Sequence, residues 1–206
     1  MNFMIVLLIS YLIGAIPFAY LITRLITGKD VRKHGSGNVG ATNAARVMGF
    51  KYGILVAILD IAKGILAVII ARNLLTQGSP TYFLLISSLF VIIGHNWSVF
   101  LNFSGGKGVA TTFGVIISLF PLVFLYFLII WILLVIITRY VSLASIVSAG
   151  VVPFLVYFNK GNIYEIIFTL IFALLIIFRH SSNIKRLLNG EESRMNWPSG
   201  VKKGDL

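Results

Sequence analysis

"VATTFGVIISLFPLVFLYFLIIWILLVIIT", residues 109–138, is 30 residues long and carries no charged side chain. About 20 apolar residues suffice to cross a ~30 Å hydrocarbon layer as a helix. The stretch is long for a single crossing, and Pro121 lies inside it. Proline removes a backbone donor and collides with the preceding turn, so it breaks or kinks a helix. The sequence therefore predicts a short fourth helix before Pro121 and a longer fifth after it. The side of the membrane reached by everything downstream depends on that division.

The neighbouring runs are equally apolar. Upstream, spans are expected over about 3–27 (with Pro17 as a kink), 52–75 and 81–101. Downstream, they are expected over about 143–158 and 163–178. "TQGSP" (76–80) and "NKGN" (159–162) supply turn residues. The 206-residue chain is 58% apolar, 11% charged and has a mean hydropathy of +0.98. Soluble domains carry about a quarter charged residues. The fold class expected is all-α: a polytopic integral membrane protein of about seven helices, some short or broken. Residues 1–192 would form one membrane domain and 193–206 a polar basic tail. The N-terminal run has no basic leader and is too long for a signal peptide, so it reads as a retained span.

The net charge of +11 has no separate basic domain to sit on, so nucleic acid is not expected as a partner. Cations beside spans are better read as orientation signals or as contacts to anionic lipids and substrates. Lys29, Arg32, Lys33, Arg46 and Lys51 fill the first loop, and Arg179, Lys185 and Arg186 the tail. These groups, with Lys107 and Arg139, share one side only if 109–138 crosses twice. The positive-inside rule then places the N-terminus outside and the C-terminus in the cytoplasm.

With that topology four polar islands share a face: "GSGNVGATNAAR" (35–46), "SGGKGVATT" (104–112), "RYVSLAS" (139–145) and "RHSSNIKR" (179–186). They bring Arg46, Lys107, Arg139, Arg179 and His180 beside small hydroxyls, amides and glycines. Glycine lets backbone N–H groups approach an anion, and each island abuts a helix end, where an N-terminus favours negative charge. The first three islands hold no carboxylate. This combination suits phosphate. "GGKG" (105–108) is not a Walker A loop, because Gly108 replaces the hydroxyl residue and the first glycine is missing. Lys107 can still meet a phosphate as a point charge.

Other chemistries find less support. The chain has no cysteine, which excludes disulfides, thiol nucleophiles and zinc–thiolate sites. Its three histidines are scattered, without metal-ligand spacing, so neither a metal nor another cofactor is expected. His180 has no evident acidic partner for a Ser-His-Asp arrangement. Asp60 and Lys63 in "LDIAKG" share a helix face, as a structural ion pair or as part of a site. His95 in "GHNW" reads as an interfacial anchor beside Trp97.

Five segments together resemble a known family. "GSGNVGATNAARVMG" (35–49), "LDIAKG" (59–64), "GHNWSVFLNFSGGKGVAT" (94–111), "RYVSLASI" (139–146) and "RHSSNIKRLLNGEE" (179–192) are similar, in order and spacing, to segments of the bacterial acyl-phosphate:glycerol-3-phosphate acyltransferases, the PlsY family. The resemblance implies a seven-helix enzyme of the bacterial inner membrane with its active site facing the cytoplasm. It would move a fatty acyl group from acyl phosphate to the 1-hydroxyl of glycerol 3-phosphate, the first step of phospholipid synthesis. The His-to-Asp motif of other glycerol-phosphate acyltransferases is absent, since Val39, Phe100 and Lys185 stand five residues after the three histidines.

Carried across by position, the resemblance implies Lys107, Ser145, His180 and Asn183 as catalytic residues. Ser36, Asn38, Asn43, Arg46, Gly105, Gly106 and Ser142, again with Lys107, would bind phosphate. The partners implied are acyl phosphate, glycerol 3-phosphate and membrane lipids; the oligomeric state is not specified. The competing class is a transporter of phosphate or a small organic anion. Transporter sites lie near the bilayer midplane between internal repeats, and no repeat is visible in this chain.

Overall fold

The division at Pro121 is present. In the computed structural model, which describes residues 2–76 and 78–195, helix α6 (Val109–Leu119) ends at Phe120 and α7 (Pro121–Thr138) begins on the proline. Pro121 occupies the first helical position, where no N–H is required. The first span is divided in the same way. α1 (Phe3–Ala15) stops before Pro17 and α2 (Phe18–Thr27) resumes after it, with Ile16 held in extended backbone. A residue before proline is pushed away from helical geometry.

The other spanning helices are α4 (Phe50–Leu74), α5 (Thr81–Asn96), α8 (Val141–Phe158) and α9 (Ile163–Arg179). Among the described residues, five segments are long and apolar enough to cross a membrane: Phe3–Thr27, Phe50–Leu74, Thr81–Leu101, Pro121–Thr138 and Val141–Phe158. α9 with α10 (Ser181–Leu188), bent by 59°, makes a sixth by length and composition. A count of seven needs α6, whose 11 residues extend only about 16 Å at 1.5 Å per residue. The described residues contain helices and turns and no strand.

Two short helices lie where the sequence predicts only polar connections. α3 (Ala41–Met48) takes in the second half of the first island and α10 most of the last. Each has eight residues and is amphipathic: α3 buries Asn43 and Ala44, and α10 buries Asn183. A hydropathy average over such a short two-faced segment reads as polar loop.

Helix pairs approach through small residues. Gly14 of α1 lies against the Val91 carbonyl of α5, and Gly94 of α5 against the Tyr11 carbonyl of α1. α4 and α6 repeat the arrangement, with Gly64 on the Thr111 carbonyl and Gly114 on the Ile61 carbonyl. A side chain at any of the four would strike backbone, and such small contacts are how helices associate where lipid provides no hydrophobic drive. The core runs through Ile92, Ile116, Phe127, Phe172 and Ile176, all fully buried. α4 packs on α6, α6 on α7, and α8 on α7 and α9, so these helices form one connected frame that carries the loops discussed below.

Candidate active site

A cavity of about 940 Å³ opens among α3, α4, α6, α7, α8 and α10. Ser36, Asn38, Arg46, Lys107, Ser142, Ser145, His180 and Asn183 all border it, although residues 36 and 183 are far apart in sequence. Convergence of the four islands is thus a property of the fold. Their cations do not all converge. Arg139 caps α7 with φ +61° and lies outside the cavity lining.

The glycine turn is arranged differently from the expectation. The Gly105 N–H donates to the Asn96 carbonyl (3.2 Å) and the Gly106 N–H to the His95 carbonyl (3.0 Å). Both donors are consumed, so neither glycine offers an N–H to phosphate. Neither position has room for a side chain: Gly105 lies on the His95–Asn96 backbone, and Gly106 on the His95 ring and the Val39 carbonyl. The carbonyls of Gly105 and Gly106 accept from Arg179 at 2.8–3.1 Å, and that guanidinium stacks on Trp97 at 5.2 Å. Arg179 therefore clamps the turn rather than serving as a free cation.

The clamped turn presents Lys107, which donates to Asn183 Oδ1. Burial pushes its ammonium down to about 8; Glu192 opposes that shift, while Arg186, Arg46 and Arg179 add to it. A lysine with a lowered pKa loses its cation as pH rises through that value. If the charge is required, kcat/KM falls above about pH 8, approaching ten-fold per pH unit. Lys107→Arg, which stays protonated, should shift that alkaline limb beyond pH 9. A profile of the wild type flat to pH 9.5 would remove the charge requirement.

Asn43 also departs from its expected role. Its side chain is 1% exposed, and all its usual capacity is spent inside the first loop. Oδ1 accepts from the Ser36 N–H (2.7 Å), and Nδ2 donates to the carbonyls of Val31, His34 and Asn38 at 3.0–3.1 Å. Asn43 is the internal brace of the loop that presents Ser36 and Asn38, and it has no group left for phosphate. Backbone amides without an intrahelical partner lie instead at helix starts. α3 begins after Gly40 and α6 after Gly108, neither with a side-chain cap. The first amide of α6 to find an intrahelical partner is that of Thr112. Gly40–Thr42 and Gly108–Ala110 border the cavity, so two uncapped N-termini meet it.

On the opposite wall the structure adds a residue that received no role from sequence. Glu192 Oε1 accepts from Ser142 Oγ (2.7 Å) and Asn183 Nδ2 (2.6 Å), and Oε2 from Arg186 Nε (2.7 Å). Burial would raise its carboxyl; the hydrogen bonds from Ser142, Asn183 and Arg186 outweigh that and hold it below the usual carboxylate range. Its signal was present in "NGEE", but nothing local marks which glutamate turns inward.

His180 is 3% exposed, and its Nδ1 lies 2.8 Å from the Ile176 carbonyl. A carbonyl can only accept, so Nδ1 carries the proton and Nε2 is left as an acceptor. That partner is backbone and not a carboxylate, unlike the orienting group of a Ser-His-Asp triad. Ser145 Oγ donates to the Val141 carbonyl (2.8 Å) and accepts from Trp131 Nε1 (3.1 Å). A hydroxyl held this way is a positioned wall group rather than a nucleophile with a base.

His95 is not an interfacial anchor. It is buried, with Nδ1 3.6 Å from Asp60 Oδ1, which in turn pairs with Lys63 Nζ at 2.8 Å. The apolar side of the cavity is lined by Phe50, Ile54, Ala57 and Ile61 of α4 and by Ile132, Val135 and Ile136 of α7. From Phe50 to Ile61 this wall is about 16 Å long. Ile54 is 44% and Ile136 54% exposed, so this arm is open on its flank.

Comparison with known proteins identifies the family and the fold. A sequence-family profile described as glycerol-3-phosphate acyltransferase matches residues 4–190. Glycerol-3-phosphate acyltransferase 2 of Moorella thermoacetica is 47% identical over 93% of this chain and 97% of its own. The glycerol-3-phosphate acyltransferase of Syntrophotalea carbinolica is 47% identical over 94% and 97%. Among solved structures, PlsY, an integral membrane glycerol 3-phosphate acyltransferase, superposes in its glycerol 3-phosphate form with a TM-score of 0.89, at 38% identity and covering 95% of this chain and 96% of that one. Its lysophosphatidic acid form gives 0.86 at 36% identity, with the same coverage. With 187 consecutive positions matched and close relatives over nearly its full length, this chain belongs to the glycerol-3-phosphate acyltransferase family.

Proposed function

We propose that the protein transfers a fatty acyl group from acyl phosphate to the 1-hydroxyl of glycerol 3-phosphate, releasing lysophosphatidic acid and inorganic phosphate. One observation carries the reading: a single cavity joins a cationic, hydrogen-bonding end to an apolar arm open on its flank. An acyl phosphate has that same division. Its chain lies along α4 and α7, and its phosphate meets Lys107, Arg46 and the uncapped helix starts. Ser36, Asn38 and Ser142 complete the polar contacts to the two phosphorylated groups.

The hydroxyl oxygen of glycerol 3-phosphate attacks the acyl carbonyl carbon, and the bond from that carbon to the phosphate oxygen breaks. The electron pair leaves with the phosphate. The hydroxyl proton ends on a phosphate oxygen of the substrates, and no covalent acyl-enzyme forms. An acyl phosphate has a good leaving group, so positioning and charge neutralisation dominate the acceleration. Lys107 and Arg46 neutralise the charge that develops on the leaving phosphate, while Asn183, Ser145 and the free His180 Nε2 orient the attacking hydroxyl.

Residues 1–192 act as one membrane domain; of the proposed tail, residues 196–206 lie outside the described residues. The protein sits in the bacterial inner membrane, N-terminus outside, with the cavity on the cytoplasmic side where phosphorylated substrates are made. The test is phosphate release by purified protein in detergent given palmitoyl phosphate with and without glycerol 3-phosphate. Release that depends on glycerol 3-phosphate, with lysophosphatidic acid as the acylated product, is the expected result. No such release would return the site to an anion transporter.

A further inference from the structure

We infer that Asp60 and His95, with Lys63, form a positioning unit that fixes Lys107 through the glycine turn. Three ionisable side chains, each at most 7% exposed, lie together inside a membrane domain. Such groups are costly to bury and are retained where something depends on them. Their contacts indicate what depends on them. Lys63 Nζ donates to the Ile16 carbonyl (2.9 Å) at the break before Pro17, a group that also accepts from the Phe18 N–H (3.2 Å). Asp60 Oδ1 joins Lys63 to His95 Nδ1.

The far edge of the same imidazole, Nε2 and Cε1, lies directly against Gly106, which also meets the Val39 carbonyl. Asp60, Lys63, His95, Val39, Gly105 and Gly106 border one void of about 10 Å³. Three loops therefore meet at Gly106: the first island at Val39, the α5 end at His95, and the turn itself. The next residue is Lys107. Turning the imidazole moves the surface on which that turn rests, and the Asp60 carboxylate faces the ring's other nitrogen at 3.6 Å, an ion-pair distance rather than a hydrogen bond. Asp60 and His95 also reach the edge of the large cavity, and the role inferred for the unit is to hold the turn, so that it acts through Lys107.

This inference rests on the acyltransfer reading of the site, and the test separates the two. His95→Gln leaves the Asp60–Lys63 pair intact. It is made alone and in a Lys107→Ala background, and kcat and KM are measured at raised enzyme concentration. Alone, it should lower kcat/KM by about ten-fold or more, divided between kcat and KM as in Lys107→Ala. In the Lys107→Ala background it should cost less than about two-fold, because residues acting through one group are not additive. Full additivity, or wild-type kinetics for His95→Gln, overturns the inference. If His95→Gln does not purify as a folded protein, Asp60→Asn with Lys63→Met takes its place, since it keeps the net charge and nearly the volume. The same non-additivity is then expected. Failure of both variants to fold marks the cluster as a structural ion network and also overturns the inference. A wild type without glycerol 3-phosphate-dependent release would instead remove the acyltransfer reading itself.

Discussion

Lys107→Ala is expected to lower kcat/KM by roughly 30-fold to several thousand-fold while the protein still folds and purifies normally. Lys107 is partly buried, on a turn held by Arg179 and by the His95 and Asn96 carbonyls. It is thus placed before substrate arrives, and electrostatic catalysis requires that kind of preorganisation. Removing one member of a desolvated charge pair costs about 2–5 kcal/mol, with ten-fold in rate for each ~1.4 kcal/mol. The fold should tolerate the change because the turn's own bonds are made by backbone and by Arg179. Loss in kcat as well as KM is expected, since charge on the leaving phosphate grows as its bond to the acyl carbon breaks. Lys107→Arg should recover only part of the rate, because a planar fork cannot replace a compact ammonium in the same space. Wild-type turnover in Lys107→Ala would remove the central cation from the mechanism.

Most of the frame was legible in the sequence because membrane helices are governed by long apolar runs and prolines. The division at Pro121 follows from those signals, and the convergence of residues near 36, 107, 142 and 183 follows once the cations are placed on one side; at Pro17 the expected kink is a full break between α1 and α2. Roles inside the site were less legible, for a physical reason. A glycine or asparagine in a polar loop has the same signature whether its groups face a ligand or fold back on the chain. Gly105, Gly106 and Asn43 face inward and spend their capacity on neighbours. The uncapped starts of α3 and α6 hold the free amides, and a helix as short as α3 is hidden in an averaged polar segment. Glu192 and His95 show a related gap. Each gains its role from a partner 35 or 50 residues away in sequence, Asp60 for His95 and Ser142 for Glu192, and spacing alone does not indicate such pairs.

Asn43→Ala provides the sharpest test of that distinction, because its two possible roles predict opposite patterns. As a brace, Asn43 satisfies one amide and three carbonyls from a position 1% exposed. Truncation leaves those groups unpaired, at a cost of about 1–3 kcal/mol for each that stays buried. Ser36 is exposed and can turn to water, so the net loss should be about 3 kcal/mol, a fall in thermal midpoint on the order of 10 °C. Activity should fall with it, since the loop presents Ser36 and Asn38 to the cavity. Asn43→Asp should be no milder: it keeps an acceptor for the Ser36 amide but turns a second oxygen toward three carbonyls. As a phosphate ligand, Asn43 would behave otherwise. Alanine would leave the melting temperature unchanged and raise KM for glycerol 3-phosphate, and aspartate would be far worse by repulsion. An unchanged midpoint in Asn43→Ala together with a KM defect would therefore return Asn43 to the phosphate site, and the loop would then need another brace.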